Sequence, residues 1–141
     1  MNSTQARPTI RIFPDFGGFT HRIDYPEDHW ENPGKYPCQG ELVPAQLDDK
    51  LTDWEREFEK CAFEDQYGHP GMILWISFDL AGLEIAKQIK KHVGAKARVF
   101  YQKPIECPYW RYDAVREILE NGELVTLNYH VGWHNLPWKR T

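Results

Sequence analysis

A chain of 141 residues and 16.7 kDa, 41% hydrophobic and 27% charged, has the size and balance of one globular domain, which excludes a disordered tail, a collagen and a coiled coil. Its longest apolar run, Met72-Ile73-Leu74-Trp75-Ile76, is five residues, against the roughly 20 that cross a bilayer. The segment from Met1 to Pro8 has no apolar h-region, so a cytoplasmic protein is expected. Net charge is −4 but unevenly spread: residues 1 to 71 hold 7 Lys+Arg against 14 Asp+Glu, and residues 72 to 141 hold 10 against 7. An acidic surface is expected from the first half, one that repels nucleic acid and attracts a basic partner.

In chain order, Thr9-Ile10-Arg11-Ile12-Phe13 reads as a short strand closed by Pro14. Residues 19 to 40 have neither helical nor strand period and read as a long loop rich in proline, glycine and aromatics. Tyr25 and Trp30 stand there beside Asp24, Glu27 and Asp28, and Tyr36 follows. Rings supply contact area at low entropic cost while acids steer an encounter, so this mixture is expected to form a binding surface.

The strongest element comes next. Leu47, Leu51, Trp54, Phe58 and Cys61 recur at helical spacing after Pro44, which predicts an amphipathic helix from about 44 to 65. Asp49, Asp53 and Glu57 form an i, i+4, i+8 row on its outer side, where like charges cost a few tenths of a kcal/mol per pair. That cost without visible compensation points to a partner, whereas Asp48 and Asp49 also suit the helix N-terminus. Gly68-His69-Pro70-Gly71 breaks the chain.

Met72 to Ile76 fits either a buried strand or the start of a helix. A helix is expected from about Asp79 to Val93, with Leu80, Leu83, Ala86, Ile89 and Val93 inward, Lys87, Lys90 and Lys91 outward, and Gly94 closing it. Arg98 to Gln102 is a strand. Asn121-Gly122 between apolar runs predicts a hairpin; a helix through Tyr112, Val115 and Leu119 with Gly122 as its C-cap is the competing reading. The expected fold class is α+β: a small, mostly antiparallel sheet containing about residues 9 to 13, 97 to 103, 114 to 120 and 123 to 130, with two helices packed on one face.

No catalytic fingerprint is present. Cys38, Cys61 and Cys107 are too widely and irregularly spaced for a disulfide scaffold or a CxxC site. His130 and His134 have the spacing of a zinc pair, with Cys107 or His69 to complete it, yet on a strand they stand about 13 Å apart. Neither metal nor cofactor is therefore expected. The basic group Lys87, Lys90, Lys91, Lys96 and Arg98, with Tyr101 nearby, is better explained by the helix dipole than by nucleic acid. Trp54 and Trp75 read as core; Trp30, Trp133 and Trp138 read as contact residues.

The order of segments, RIFPDFGG, an irregular aromatic loop, LVPAQLDDKLTDWEREFE and FDLAGLEIAKQIKKHVGAKARVFYQ, resembles the small immunity proteins encoded beside contact-dependent inhibition and other polymorphic bacterial toxins. That resemblance, over residues 9 to 103, implies a non-enzymatic cytoplasmic protein that neutralises a cognate toxin domain, often a nuclease. No residue role transfers with it, because these families share no catalytic residues. The residues themselves assign the contact surface to Asp24, Tyr25, Glu27, Asp28, Trp30, Asp49, Asp53 and Glu57, facing a basic protein domain rather than nucleic acid or membrane. The alternative is a small enzyme or ligand-binding domain in which His21, Asp24 and His130 converge on a pocket; a phage-type anti-defence regulator is a third reading.

Overall fold

Period-2 alternation at the start of the chain sends Ile10 and Ile12 to one face of a strand, where both are fully buried. The computed structural model describes residues 6–14, 20–66, 72–104 and 115–127, with 61–66 and 72–74 as backbone only. Along it run β1 (Thr9–Ile12), β2 (His21–Asp24), a 3-10 turn (Glu27–His29), α1 (Gln39–Leu42), α2 (Ala45–Gln66) and α3 (Met72–Val93). A second 3-10 turn (Gly94–Lys96) leads into β3 (Arg98–Gln102), β4 (Val115–Ile118) and β5 (Leu124–Leu127).

The sheet has the order β2-β1-β3-β4-β5. Three of its four pairings are antiparallel, and β1 with β3 is parallel. The row Ile23, Ile10, Val99, Ile118 and Leu124 crosses the face covered by the helices and joins one core. Leu51, Trp54 and Phe58 from α2 pack into it with Trp75, Phe78, Ala86 and Ile89 from α3. The fold is α+β with the two long helices on one face of the sheet, as the apolar pattern predicts. Phe100, Val115 and Leu127 make a smaller apolar cluster. By strand alternation they belong to the opposite face, where Arg98 stacks over the Phe100 ring and forks onto Glu117.

The expected helix at 44 to 65 is α2, and Pro44 serves at its start, accepting the amide hydrogens of Leu47 and Asp48. The hairpin reading also holds for residues 115 to 120, with 112 to 114 outside the described residues: Gly122 takes a positive φ of 87° between β4 and β5, and the Asn121 side chain accepts the Glu123 amide.

Four expectations need correction. Residues 19 to 40 are not structureless, since β2, a 3-10 turn and the start of α1 fall within them. The second long helix begins at Met72 rather than Asp79, and Asp79 sits within it, accepting the Tyr101 hydroxyl in the core at 2.6 Å. Leu80 does not point inward; it is exposed, as is Ile76. Lys90 does not point outward: it is buried, and its ammonium donates to the Ala97 carbonyl at 2.7 Å. Burial, followed by the nearby Arg7 charge, lowers the Lys90 pKa. Gly94, at φ 56°, closes α3 as expected.

Candidate functional site

The strand register sets the geometry. Asp24, Thr9 and Arg98 are neighbours across β2, β1 and β3, so the end of β2 and the start of β3 lie at one end of the sheet. The segment after β2, α1 and the end of α3 converge at that same end: Tyr25 donates its hydroxyl to the Pro37 carbonyl at 2.7 Å, and His92 bonds the Glu41 carbonyl at 2.8 Å.

Within the loop the rings order one another. Tyr25 and His29 stack at 4.1 Å with 14° between planes, Tyr36 closes on both at 6.3 and 6.2 Å, and Trp30 meets His29 edge-on at 5.6 Å. Asp28 ties the two arms of the loop, accepting from the Lys35 ammonium and the Tyr36 hydroxyl. Those two bonds, Lys35 first, hold the Asp28 carboxyl below its usual range and raise the Lys35 and Tyr36 pKa values. The outcome of this ring and ion-pair scaffold is one residue left over: Trp30 is 87% exposed.

The sequence-derived residues separate into distinct roles. Trp30 and Glu27 face solvent. Tyr25 is half-buried and works as a buttress, and burial raises its pKa. Asp24 is engaged by Arg11 and Arg22, each at 3.1 Å, and Asp28 by Lys35 and Tyr36, so both acids organise the loop and its strand rather than stand free for a partner. Asp49, Asp53 and Glu57 are exposed on the side of α2 opposite the buried Leu51, Trp54 and Phe58. Among the described residues the row's ion pairing is limited to Asp53 with Arg56.

His21 and Asp24 are not brought together. Three residues apart on a strand, they project to opposite faces and are separated by about 10 Å along it. His21 bonds Thr20 beside the core, where burial lowers its pKa against a smaller opposing effect of Asp48. His69, Cys107, Trp110, His130, Trp133, His134 and Trp138 lie outside the described residues, as does the Cys61 side chain. Among the described residues no group of three or more His, Cys, Asp or Glu is placed to hold a metal ion, and no helix is long and apolar enough to cross a membrane.

Two features escape a reading by pattern. Lys35 and Tyr36 as clamps on Asp28 come from the way the loop folds back; the i, i+4 spacing of Tyr25 and His29 is the one local hint. A cleft of about 290 Å³ beside the loop, between α1 and the end of α3, is formed by Pro37, Leu42, Pro44, Val93, His92 and Lys96; segments fifty residues apart build it, so no motif announces it.

Comparison with protein-family models, curated proteins and solved structures finds no match to this chain.

Proposed function

We propose that this chain is a non-enzymatic binding protein that neutralises a basic protein domain, the cognate toxin of a bacterial toxin system, through Trp30 and the acids around it. The observation that carries the reading is the 87% exposure of Trp30 on a loop held by stacked rings and an ion pair. An indole left in water on a preorganised loop is the kind of anchor that dominates binding energy, because little order is lost when it enters a partner's pocket. Glu27 and Glu31 beside it, with the outward row Asp49, Asp53 and Glu57, add a negative potential that speeds encounter with a basic surface.

The test is capture from the native source with the tagged chain, washed at low and then high salt and read by mass spectrometry. A single stoichiometric partner with a basic toxin-like domain, weakened by salt and lost with Trp30→Ala, is the expected result. A partner retained equally by Trp30→Ala and Asp53→Lys refutes the surface, and no protein partner at all refutes the reading.

A further inference from the structure

The cleft beside the loop has an uneven set of polar groups. The Glu41 carbonyl can only accept, so it takes the His92 Nε2 hydrogen at 2.8 Å, and that nitrogen is used. The Glu41 carboxylate turns back onto the Cys38 amide at the start of α1, at 3.4 Å. Lys96 is the remainder: it lines the cleft and, among the described residues, makes no hydrogen bond or ion pair. Leu42, Pro44 and Val93 supply apolar wall on the same lining, and Lys96 itself is exposed.

We propose that this cleft binds a short aliphatic monocarboxylate, its hydrocarbon against Leu42, Pro44 and Val93 and its carboxylate on the Lys96 ammonium. Size and charge both narrow the ligand. A volume of about 290 Å³ lies at the lower edge of the ~300–1,000 Å³ that accommodates drug-sized molecules, so the body is short. Among the described residues Lys96 is the cleft's one unpaired cation, and with the Glu41 carboxylate on the same lining it suits a single negative charge and disfavours a dianion such as phosphate. The site is separate from Trp30, and its test needs no protein partner.

The full chain labelled with nitrogen-15 is titrated with butyrate, and in parallel with butylamine and inorganic phosphate, while amide resonances are followed. Butyrate is expected to produce saturable shifts centred on Leu42, Val93 and Lys96. Lys96→Met is expected to weaken them at least tenfold. Gly40→Phe is the second variant: a Cβ there meets nothing within 4 Å and Gly40 lines the cleft, so the fold should accept the ring and the ring should obstruct the cleft. It should abolish the shifts while leaving the resonances of β1 and β3 in place. Absence of saturable butyrate shifts, equal shifts with butylamine or phosphate, or butyrate shifts that survive Lys96→Met each overturn the proposal.

Discussion

Two tryptophans show how the same ring chemistry serves opposite ends. Trp54 stacks on Phe78 at 4.6 Å and 11°, tilts against Tyr101, and donates its indole hydrogen to the Phe78 carbonyl at 2.9 Å, so both its apolar and its polar parts are satisfied inside. Trp30 also ends a ring stack, Tyr25 on His29 at 4.1 Å and 14°, but there the inner members are only half-buried and the last indole is left in water. The lesson is that stacking alone does not mark a core. What separates the two is whether the indole nitrogen and outer face find a partner among the described residues.

The largest expected effect divides these two residues. Trp54→Ala should cost about 3–5 kcal/mol of stability through lost burial and a cavity, whereas Trp30→Ala should change stability by less than about 0.5 kcal/mol and weaken partner binding by roughly 2 kcal/mol. Urea denaturation of both variants checks the first contrast, and calorimetry with the captured partner checks the second. Equal stability losses would dissolve the comparison.

Gly82→Ala probes the inner cluster from its other side. A Cβ at this α3 position would stand 2.5 Å from the Tyr101 ring and 2.6 Å from the Trp54 ring, both buried, so overpacking should cost about 1–3 kcal/mol even though alanine favours a helix by nearly 1 kcal/mol over glycine. A melting temperature equal to that of the natural sequence would show that the rings are free to yield. Asp28→Asn probes the outer cluster. It removes the ion pair to Lys35, and the loop should become more open to limited proteolysis near residues 30–35 while the thermal midpoint barely moves.

A smaller effect follows from acidification. His21 has a lowered pKa in the fold, so the unfolded chain takes up its proton first; stability is fully present above the ordinary value of 6.5 and declines as pH falls from there through the folded-state value. His21→Gln should flatten that part of the stability curve, measured by denaturation at pH 5, 6 and 7. Smallest of all, Asp53→Lys on the outer row should leave stability within about 0.5 kcal/mol and act on the association rate, in a manner that salt erases.

Much of the scaffold is legible before any coordinates. The 4-3-4 spacing from Leu47 to Phe58 locates α2 to within a residue, and Asn121-Gly122 locates the last hairpin, because each signal is local and repeated. The failures have a common cause. β2 is a four-residue edge strand in which only Ile23 reaches the main core, too short for an alternation to register. Asp79 and Lys90 sit at core-facing positions of α3, where Tyr101 donates to the one and the Ala97 carbonyl accepts from the other, partners that no helical pattern announces. The site divides the same way. Exposure of an aromatic in an irregular segment singles out Trp30, but nothing local says that Asp24 and Asp28 are spent on cations of the chain itself.

The parallel seam between β1 and β3 has a consequence for how the chain reaches this state. Thr9 lies beside Arg98 across the seam, so the sheet's centre joins residues 89 positions apart in the chain. The two hairpins and the helix pair close short loops and form in microseconds, but the seam must wait until α2 and α3 have shortened the path between its strands. Folding is then expected to be slowed by replacements in the α2–α3 contact, such as Phe58→Leu. By contrast, changes at the outer edges, such as Val125→Thr, should mainly hasten unfolding.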